Sequence, residues 1–333
     1  TYVAMMVVYT AIMIPFSALS GVMTADSTAR TQLNSYRFLV AFGAAMMVQG
    51  LVKPGVSFFG DGDDVLGYRL TMLCFAALAI LGFFIAFKST KERIAAPAAQ
   101  ESSVFKDLAD LSKNRPWVII LSVSLVTLIY VSIRSAAQMY YFKYYIGNDD
   151  LVSTFMVTGT AAIMAGIFFT NWLTKLFDKK RLFILCMGLS GLSALAFYFV
   201  SPGDVALLFT LQIITSLATG PTMPLLWSMM ADAADYSEWK NGRRATGLVF
   251  SASTFAQKAG GALGGAISMY VLSAYGYVAN VEQTPEVLQG MRSMMSIYPG
   301  IGALLCTVIL MAYPLNAETL QQIGEDLNQK ERS

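Results

Sequence analysis

Nine long apolar stretches restrict what this chain of 333 residues can fold into. The hydrocarbon core of a bilayer is about 30 Å thick, and a helix needs about 20 residues to cross it. Stretches of that length lie at 1–22, 33–53, 65–87, 117–141, 151–174, 182–200, 205–230, 247–274 and 293–313. Each is predicted to be a helix, because backbone polar groups in lipid must be satisfied within their own segment. The sequence therefore predicts an all-α, polytopic membrane protein.

The composition supports this class and excludes several others. Hydrophobic residues make up 56% of the chain and charged residues 13%, whereas soluble domains are about 25% charged. The chain has no histidine, and its three cysteines lack CxxC spacing, so we expect neither a histidine-based catalytic dyad nor a metal site. The net charge of +2 and the absence of a large basic cluster predict no nucleic-acid partner. No cofactor is expected beyond a coupling ion.

The distribution of basic residues orients the predicted spans. Lys and Arg total 23, of which 16 lie in one set of alternate loops, namely 20–35, 88–116, 175–181, 231–246 and the tail 314–333. The opposite set of loops, with the adjoining span ends, has only four. The positive-inside rule therefore places the first set, and the C-terminus, in the cytoplasm.

The longest cytoplasmic connection separates three spans from six. Phe105, Leu108 and Leu111 fall on one helical face there, which predicts a short amphipathic helix on the membrane surface. The predicted units are the remainder of an N-terminal bundle at 1–87, the linker at 88–116, a six-helix bundle at 117–313 and a cytoplasmic tail at 314–333. If the two halves have equal numbers of spans, three further spans are expected before residue 1, so that nine of twelve would be present. Six plus six spans is the architecture of a major facilitator.

Several motifs carry a family resemblance. The most specific is the charged stretch at 231–267, ADAADYSEWKNGRRATGLVFSASTFAQKAGGALGGAI, and others are IPFSALSGVMTADSTARTQLNSYRF, KNRPW and YYFKYYIG. Together they resemble the glycoside–pentoside–hexuronide:cation symporters, the melibiose-permease family of major facilitators. The resemblance covers nearly the whole chain and makes residues 1–313 helices four to twelve. It implies cation-coupled sugar transport by alternating access in a bacterial inner membrane, and we expect a monomer surrounded by lipid.

Charged residues crowd the cytoplasmic connection at 231–246, whose predicted gating residues are Asp232, Asp235, Glu238, Arg243 and Arg244. One interpretation is a loop pinned by local ion pairs, each worth under about 1 kcal/mol. The other is a cytoplasmic latch. Asp232 and Asp235, three residues apart on one helical face, would pair with basic groups of the other half and release them on switching. The resemblance favours the latch.

Lys258 is the most conspicuous charge inside a span. It lies about eleven residues into its helix and close to the midplane, where a charge must face a partner or a cavity. Small residues line its face and flank, which predicts the close approach of another helix; they are Thr254, Gly261 and Gly265 on the face and Gly260 and Gly264 beside it. Lys258, with Thr254, is predicted to bind sugar hydroxyls or compete with the cation. The alternative is a structural ion pair. The family has a lysine at the matching position of its sugar and cation site.

Two arginines are also predicted to bind substrate. Arg37 begins the second span, where it either snorkels to the interface or, as the resemblance implies, holds sugar at the cytoplasmic side of the cavity. Arg134, with Gln138 one turn on, lies about 10 Å below the outer surface. Its guanidinium would either bind hydroxyls bidentately or pair with an acid.

Further candidates surround the predicted cation and sugar sites. Tyr9 and Thr10 match family positions near the cation site, whereas Met13 departs from the pattern of melibiose permeases, which place a cation-binding aspartate there. A thioether is a poor ligand for Na⁺, so proton coupling is at least as well supported as Na⁺ coupling. Trp227 and Tyr141 are candidates for stacking on the apolar face of a sugar. The alternative for Trp227 is plain packing, and the alternative for Tyr141 is a place in the aromatic belt at the membrane interface.

The sequence thus predicts a secondary active transporter that couples the uptake of a glycoside, pentoside or hexuronide to a cation. One alternative is a lipid or lysolipid carrier of the same superfamily, although the polar residues predicted within the spans favour a polar cavity. A more remote alternative is an intramembrane enzyme. No nucleophile–base pair or metal motif supports it, and we expect no enzymatic activity.

Overall fold

A computed structural model describes residues 2–24, 26–90, 111–148, 151–242 and 246–332, and these residues form helices with no strand among them. The all-α prediction is confirmed over these ranges. The predicted gating residues Arg243 and Arg244 lie outside the described residues, as does most of the predicted surface helix of the linker. Leu111, the one described residue of its apolar face, is buried in the main core.

Three helices form the first group, which precedes the linker. They are α1 (Tyr2–Val22), α2 (Ser27–Gly60) and α3 (Asp64–Ser89). Asp26 fixes the start of α2, because its carboxylate accepts hydrogen bonds from the backbone N–H groups of Thr28 and Ala29. Asp63 caps α3 in the same way. The short connection 61–63 joins α2 to α3, and the two helices pack against each other.

The second group follows the linker. Its helices are α4 (Arg115–Tyr140), α5 (Leu151–Leu176), α6 (Lys179–Ala196), α7 (Val205–Thr219), α8 (Thr222–Asn241), α9 (Thr246–Ala274), α10 (Pro285–Met295), α11 (Ile297–Met311) and α12 (Ala317–Arg332). A π-helix, Tyr141–Ile146, extends α4. Helix α4 packs against α9 and α11, and α6 packs against α7 and α11. The largest buried core lies among these helices.

Length and composition allow seven helical stretches of the described chain to cross a membrane. These seven coincide with seven of the nine predicted spans. Helices α1 and α9, which are 21 and 29 residues long, occupy the other two, and their crossing stays a prediction. The chain is therefore an integral, multi-pass membrane protein.

The structure corrects two predicted boundaries. The predicted span 205–230 is two helices, which are separated by a break at Gly220 and Pro221. The backbone at this break comes so close to α5 that a side chain on Gly220 would collide with the Ile163 oxygen. Helix α8 then runs on to Asn241, so Asp232, Asp235 and Glu238 lie on a helix, and the prediction of a loop there was wrong. The second corrected boundary concerns the predicted span 293–313. Two helices cover this region, α10, which begins earlier at Pro285, and α11, and they are separated at Ser296.

The small-residue stripe of α9 also differs from its prediction. A Cβ on Gly264 would lie 2.5 Å from the Ile129 oxygen of α4, and one on Gly260 would lie 2.7 Å from the Leu125 oxygen. Gly265 has no atom within 4 Å of such a Cβ. The close approach therefore uses the flank of Gly260 and Gly264, and it leaves the face of Lys258 turned towards α1.

This packing gives a matched pair of stability predictions. Gly264→Ala is expected to lower the stability of the protein by about 1–3 kcal/mol, because the new methyl group forces α4 and α9 apart. Gly265→Ala, one residue along the same helix, has open space and should change stability by less than about 0.5 kcal/mol. Thermal melting of the purified protein in detergent measures both. Equal melting temperatures for the two variants would contradict the assigned contact face.

Candidate transport site and cytoplasmic latch

A buried ion-pair cluster joins the two groups of helices at the predicted cytoplasmic end. We call Arg30, Lys179, Asp232 and Asp235 the cytoplasmic latch. Nη1 of Arg30, on α2, lies 2.5 Å from Oδ2 of Asp235 and 3.8 Å from Oδ1 of Asp232, both on α8. Nζ of Lys179, at the start of α6, lies 2.8 Å from Oδ2 of Asp232. Arg30 and Asp232 are each only 1% exposed.

The local sequence positions both sides of the latch. The Asp26 cap starts α2 one turn before Arg30, whose Nε donates to the Thr24 carbonyl oxygen at 2.8 Å. On the other side, α8 ends at Gly242, which has a φ of 68° and donates its N–H to the Glu238 oxygen. Glycine tolerates this left-handed conformation without strain. Glu238 itself is half-buried on the last turn of α8.

A layer of polar contacts seals the same interface next to the latch. The Thr31 hydroxyl donates to Ser228 Oγ at 2.9 Å, and Nζ of Lys179 donates to the same oxygen at 2.7 Å. Thr31 and Ser228 are buried. Basic and hydroxyl groups of α2 therefore contact α8 directly, which closes the predicted cytoplasmic side between the two groups of helices.

Arg37 lies further along α2 than the latch residue Arg30, and its guanidinium contacts aromatic rings from two other helices. Its guanidinium carbon is 4.7 Å from the centroid of the Phe16 ring on α1 and 4.8 Å from that of the Trp227 ring on α8. Trp227 in turn stacks on Phe250 of α9, with centroids 5.8 Å apart and planes at 18°. We call Phe16, Arg37 and Trp227 the arginine stack. Both interpretations of Trp227, packing and a lining role, are compatible with this position.

Lys258 meets the first group of helices at the predicted midplane. Its ammonium group donates a hydrogen bond to the Thr10 hydroxyl of α1, and it lies 5.4 Å from the centroid of the Tyr9 ring. The structure therefore brings together three predicted site residues that are about 250 positions apart in the chain. Met13 is half-buried one turn from Tyr9 on the same helix. Thr254 donates to the Phe250 oxygen within its own helix.

Arg134, another predicted substrate residue, contacts residues of the second group of helices. Nη2 of Arg134 donates to Oε1 of Gln212 on α7 at 2.9 Å, and the guanidinium lies over the ring of Phe197. Gly159 makes room for this contact, because a side chain there would collide with Gln212. Arg134 is thus bonded within the second group of helices, and its predicted role in substrate binding stays a prediction. Gln138 is half-buried.

Tyr141 is also part of the packing of the second group. Its side chain is 1% exposed, at the start of the π-helix, and its ring lies 5.0 Å from that of Tyr145. A sugar ring could not stack on it in this arrangement.

Sequence reasoning missed three residues of the site, which are Arg30, Lys179 and Gln212. Arg30 was within reach, because it is the single basic residue of the loop 20–35 and the latch hypothesis required a base from the other half. Lys179 stands in the DKKR turn and looked like one of several solvated lysines. Nothing in the sequence connects Gln212 with Arg134.

The comparisons with known proteins agree with this architecture. Residues 1–317 match the family model described as MFS/sugar transport protein. A putative glycoside/cation symporter of Escherichia coli K12, YagG, is 31% identical over 328 residues, with 98% of this chain and 71% of that protein covered. The isoprimeverose transporter of Lactiplantibacillus pentosus is 31% identical over 334 residues, with 99% and 69% covered.

A solved structure agrees as well. The major facilitator FucP, crystallised in the outward conformation, superposes with a TM-score of 0.66 over 91% of this chain and 72% of that one, at 13% identity. At that identity the likeness shows the fold alone. The predicted major facilitator fold is confirmed, and the chain is a transporter rather than an enzyme. It belongs to the MFS/sugar transport protein family, among the glycoside–pentoside–hexuronide:cation symporters.

Proposed function

We propose that this transporter carries a sugar into the cell together with a monovalent cation, by alternating access to a site between its two groups of helices. The observation that carries the proposal is the contact between Lys258 of α9 and Thr10 of α1. A charged amine in the interior of a membrane bundle is a functional candidate, and this one lies where the two groups of helices meet. Arg37 adds a second cation at the same interface.

The chemistry of these groups suits a sugar. Ammonium and guanidinium N–H groups donate to hydroxyls, and aromatic rings pack on the apolar faces of a pyranose. The names of relatives point the same way, since one is a glycoside/cation symporter and another a glucuronide carrier homolog. Lys258, Arg37, Tyr9 and Thr10 are the residues that we assign to this site.

The cytoplasmic latch supplies the gate for alternating access. With Arg30 bonded to Asp235, the cytoplasmic side is closed, so the binding site would open to the outside. Release of sugar to the cytoplasm would then require the latch to separate, and Lys179 would keep one carboxylate of α8 paired when Arg30 leaves. This is the two-state element that a switching transporter needs.

The coupling ion is either H⁺ or Na⁺. The coupling ion would compete with the positive charge of Lys258 for the same site. The Thr10 hydroxyl and the Tyr9 ring, which contact Lys258, are described groups beside that site. A hard cation such as Na⁺ prefers oxygen ligands, so Met13 contributes little to its binding.

We further propose that the transporter works as a monomer in a bacterial inner membrane, with its C-terminus in the cytoplasm. The basic residues of the loops support this orientation. Relatives from Escherichia coli support the location, and the name of one is inner membrane symporter YicJ.

Counterflow in proteoliposomes tests the function without any assumption about the ion. Vesicles that contain the full-length transporter are loaded with unlabelled melibiose, xylobiose, a xyloside or a glucuronide, and the entry of the labelled sugar is measured. We expect exchange of at least one sugar well above that of empty vesicles. No exchange of any sugar, together with transfer of a labelled lysolipid, would favour the lipid-carrier alternative.

A further inference from the structure

Trp227 holds an unusual position relative to Arg37. The guanidinium carbon lies 4.8 Å from the centroid of the Trp227 ring and 4.7 Å from that of the Phe16 ring, and Phe250 stacks on Trp227. Trp227 is 7% exposed. The stack therefore crosses from α1 and α2 in the first group of helices to α8 and α9 in the second.

Aromatic rings in contact with a guanidinium can orient it for hydrogen bonding to hydroxyls. Cation–π contact engages the flat faces of the group, whereas all five N–H donors point outward in its plane. Contacts with rings from two other helices therefore restrain the orientation of the guanidinium, and with it the directions in which its N–H groups point.

The stack also has a defined place above the latch. Along α2, Arg30 contacts Asp235, Thr31 contacts Ser228, and Arg37 contacts Trp227. Arg37 lies seven residues beyond Arg30, or about 10 Å along the helix. The arginine stack is thus the deepest of three contacts between α2 and α8, on the side nearest the Thr10–Lys258 contact.

We infer that Trp227, together with Phe16, is a positioning residue for sugar recognition, which fixes the plane in which Arg37 presents its N–H groups to the hydroxyls of the sugar. The inference rests on the proposed function. It assigns Trp227 an effect that depends on Arg37, because the indole acts on the guanidinium and not directly on the sugar. Separation of the two halves would move the indole away from Arg37. The guanidinium would then no longer be held in the orientation that binds the sugar, which favours release of the sugar in the cytoplasm-open state.

A double-mutant cycle tests this dependence. The dissociation constant of the best sugar from the counterflow panel is measured by calorimetry on the purified full-length transporter. Trp227→Leu keeps an apolar side chain without a π face and is expected to weaken binding about tenfold or more, whereas Trp227→Phe should stay within about threefold of wild type. Trp172→Leu is the matched control, because that tryptophan is 59% exposed on α5. It should leave binding unchanged.

The same Trp227→Leu change is then made in an Arg37→Gln background. We expect less than about a twofold further loss there, because no guanidinium remains to be oriented. An equal loss in both backgrounds, or no loss in either, would overturn the inference while sugar binding by the wild type upholds the proposed function. If Trp227→Leu fails to fold, Phe16→Leu in both backgrounds provides the same comparison. A wild-type protein that binds no sugar would overturn both proposals.

Discussion

Replacing Asp235 with asparagine is expected to open the cytoplasmic side of the transporter and to lower gradient-driven sugar uptake at least about tenfold. The carboxylate pairs with Arg30, whose side chain is 1% exposed. Removal of the partner of a buried charge costs about 3–5 kcal/mol, and the loss here should be about 1.5–3 kcal/mol because Arg30 keeps Asp232 at 3.8 Å. Because that loss falls on the closed state alone, the equilibrium should shift towards the cytoplasm-open state by a factor of about 10 to 100.

Thiol labelling from the cytoplasmic side measures this shift. Ser35 lies at the sealed interface and is 1% exposed, so a Ser35→Cys variant in a Cys74→Ser background should react slowly when Asp235 is intact and much faster in Asp235→Asn. Asp178→Asn is the matched control, because its ion pair with Arg181 is on the surface. An unchanged labelling rate in Asp235→Asn would contradict the latch.

Replacing Lys258 with alanine is expected to reduce sugar uptake about 10- to 100-fold, since a hydrogen bond from a charged group contributes about 1.5–3 kcal/mol. The change removes the interior amine that contacts Thr10 and Tyr9. The initial rate of labelled sugar uptake under an imposed ion gradient measures it. Counterflow in the same vesicles shows whether sugar binding or ion coupling is lost.

Lys143→Ala is the matched control for this prediction. Its amine bonds the Asn280 side chain at an exposed position, so uptake should stay within about twofold of wild type. The prediction for Lys258 would be contradicted by normal uptake in Lys258→Ala, which would make that residue part of the helix packing only.

The helices and the charged site residues could be predicted from the sequence because lipid imposes strong constraints. A span must be long and apolar, which located the seven described helical stretches that are long and apolar enough to cross a membrane. A charge inside a span must have a partner, which singled out Lys258 and Arg37, and both contact residues of other helices. The crowding of acids on 231–246 likewise predicted a partner from the other half, and Arg30 is that partner.

The rotation of each helix about its axis could not be predicted. A lipid-facing surface and a helix-facing surface are both apolar, so hydrophobic periodicity does not distinguish them. For this reason the small-residue stripe was assigned to the face of Lys258, when the contact with α4 is made by Gly260 and Gly264. The same ambiguity kept the bond between Arg134 and Gln212, within the second group of helices, from being predicted.

Accumulation of sugar against its own gradient tests the central claim most directly. Proteoliposomes with the full-length transporter receive labelled sugar at equal concentration on both sides, and then an inward gradient of either Na⁺ or protons is imposed. Symport predicts that one of the two gradients drives the internal sugar concentration above the external one, and that collapsing the gradient with an ionophore returns it to equality. Equal concentrations under both gradients, in vesicles that still exchange the sugar, would contradict coupling to either ion.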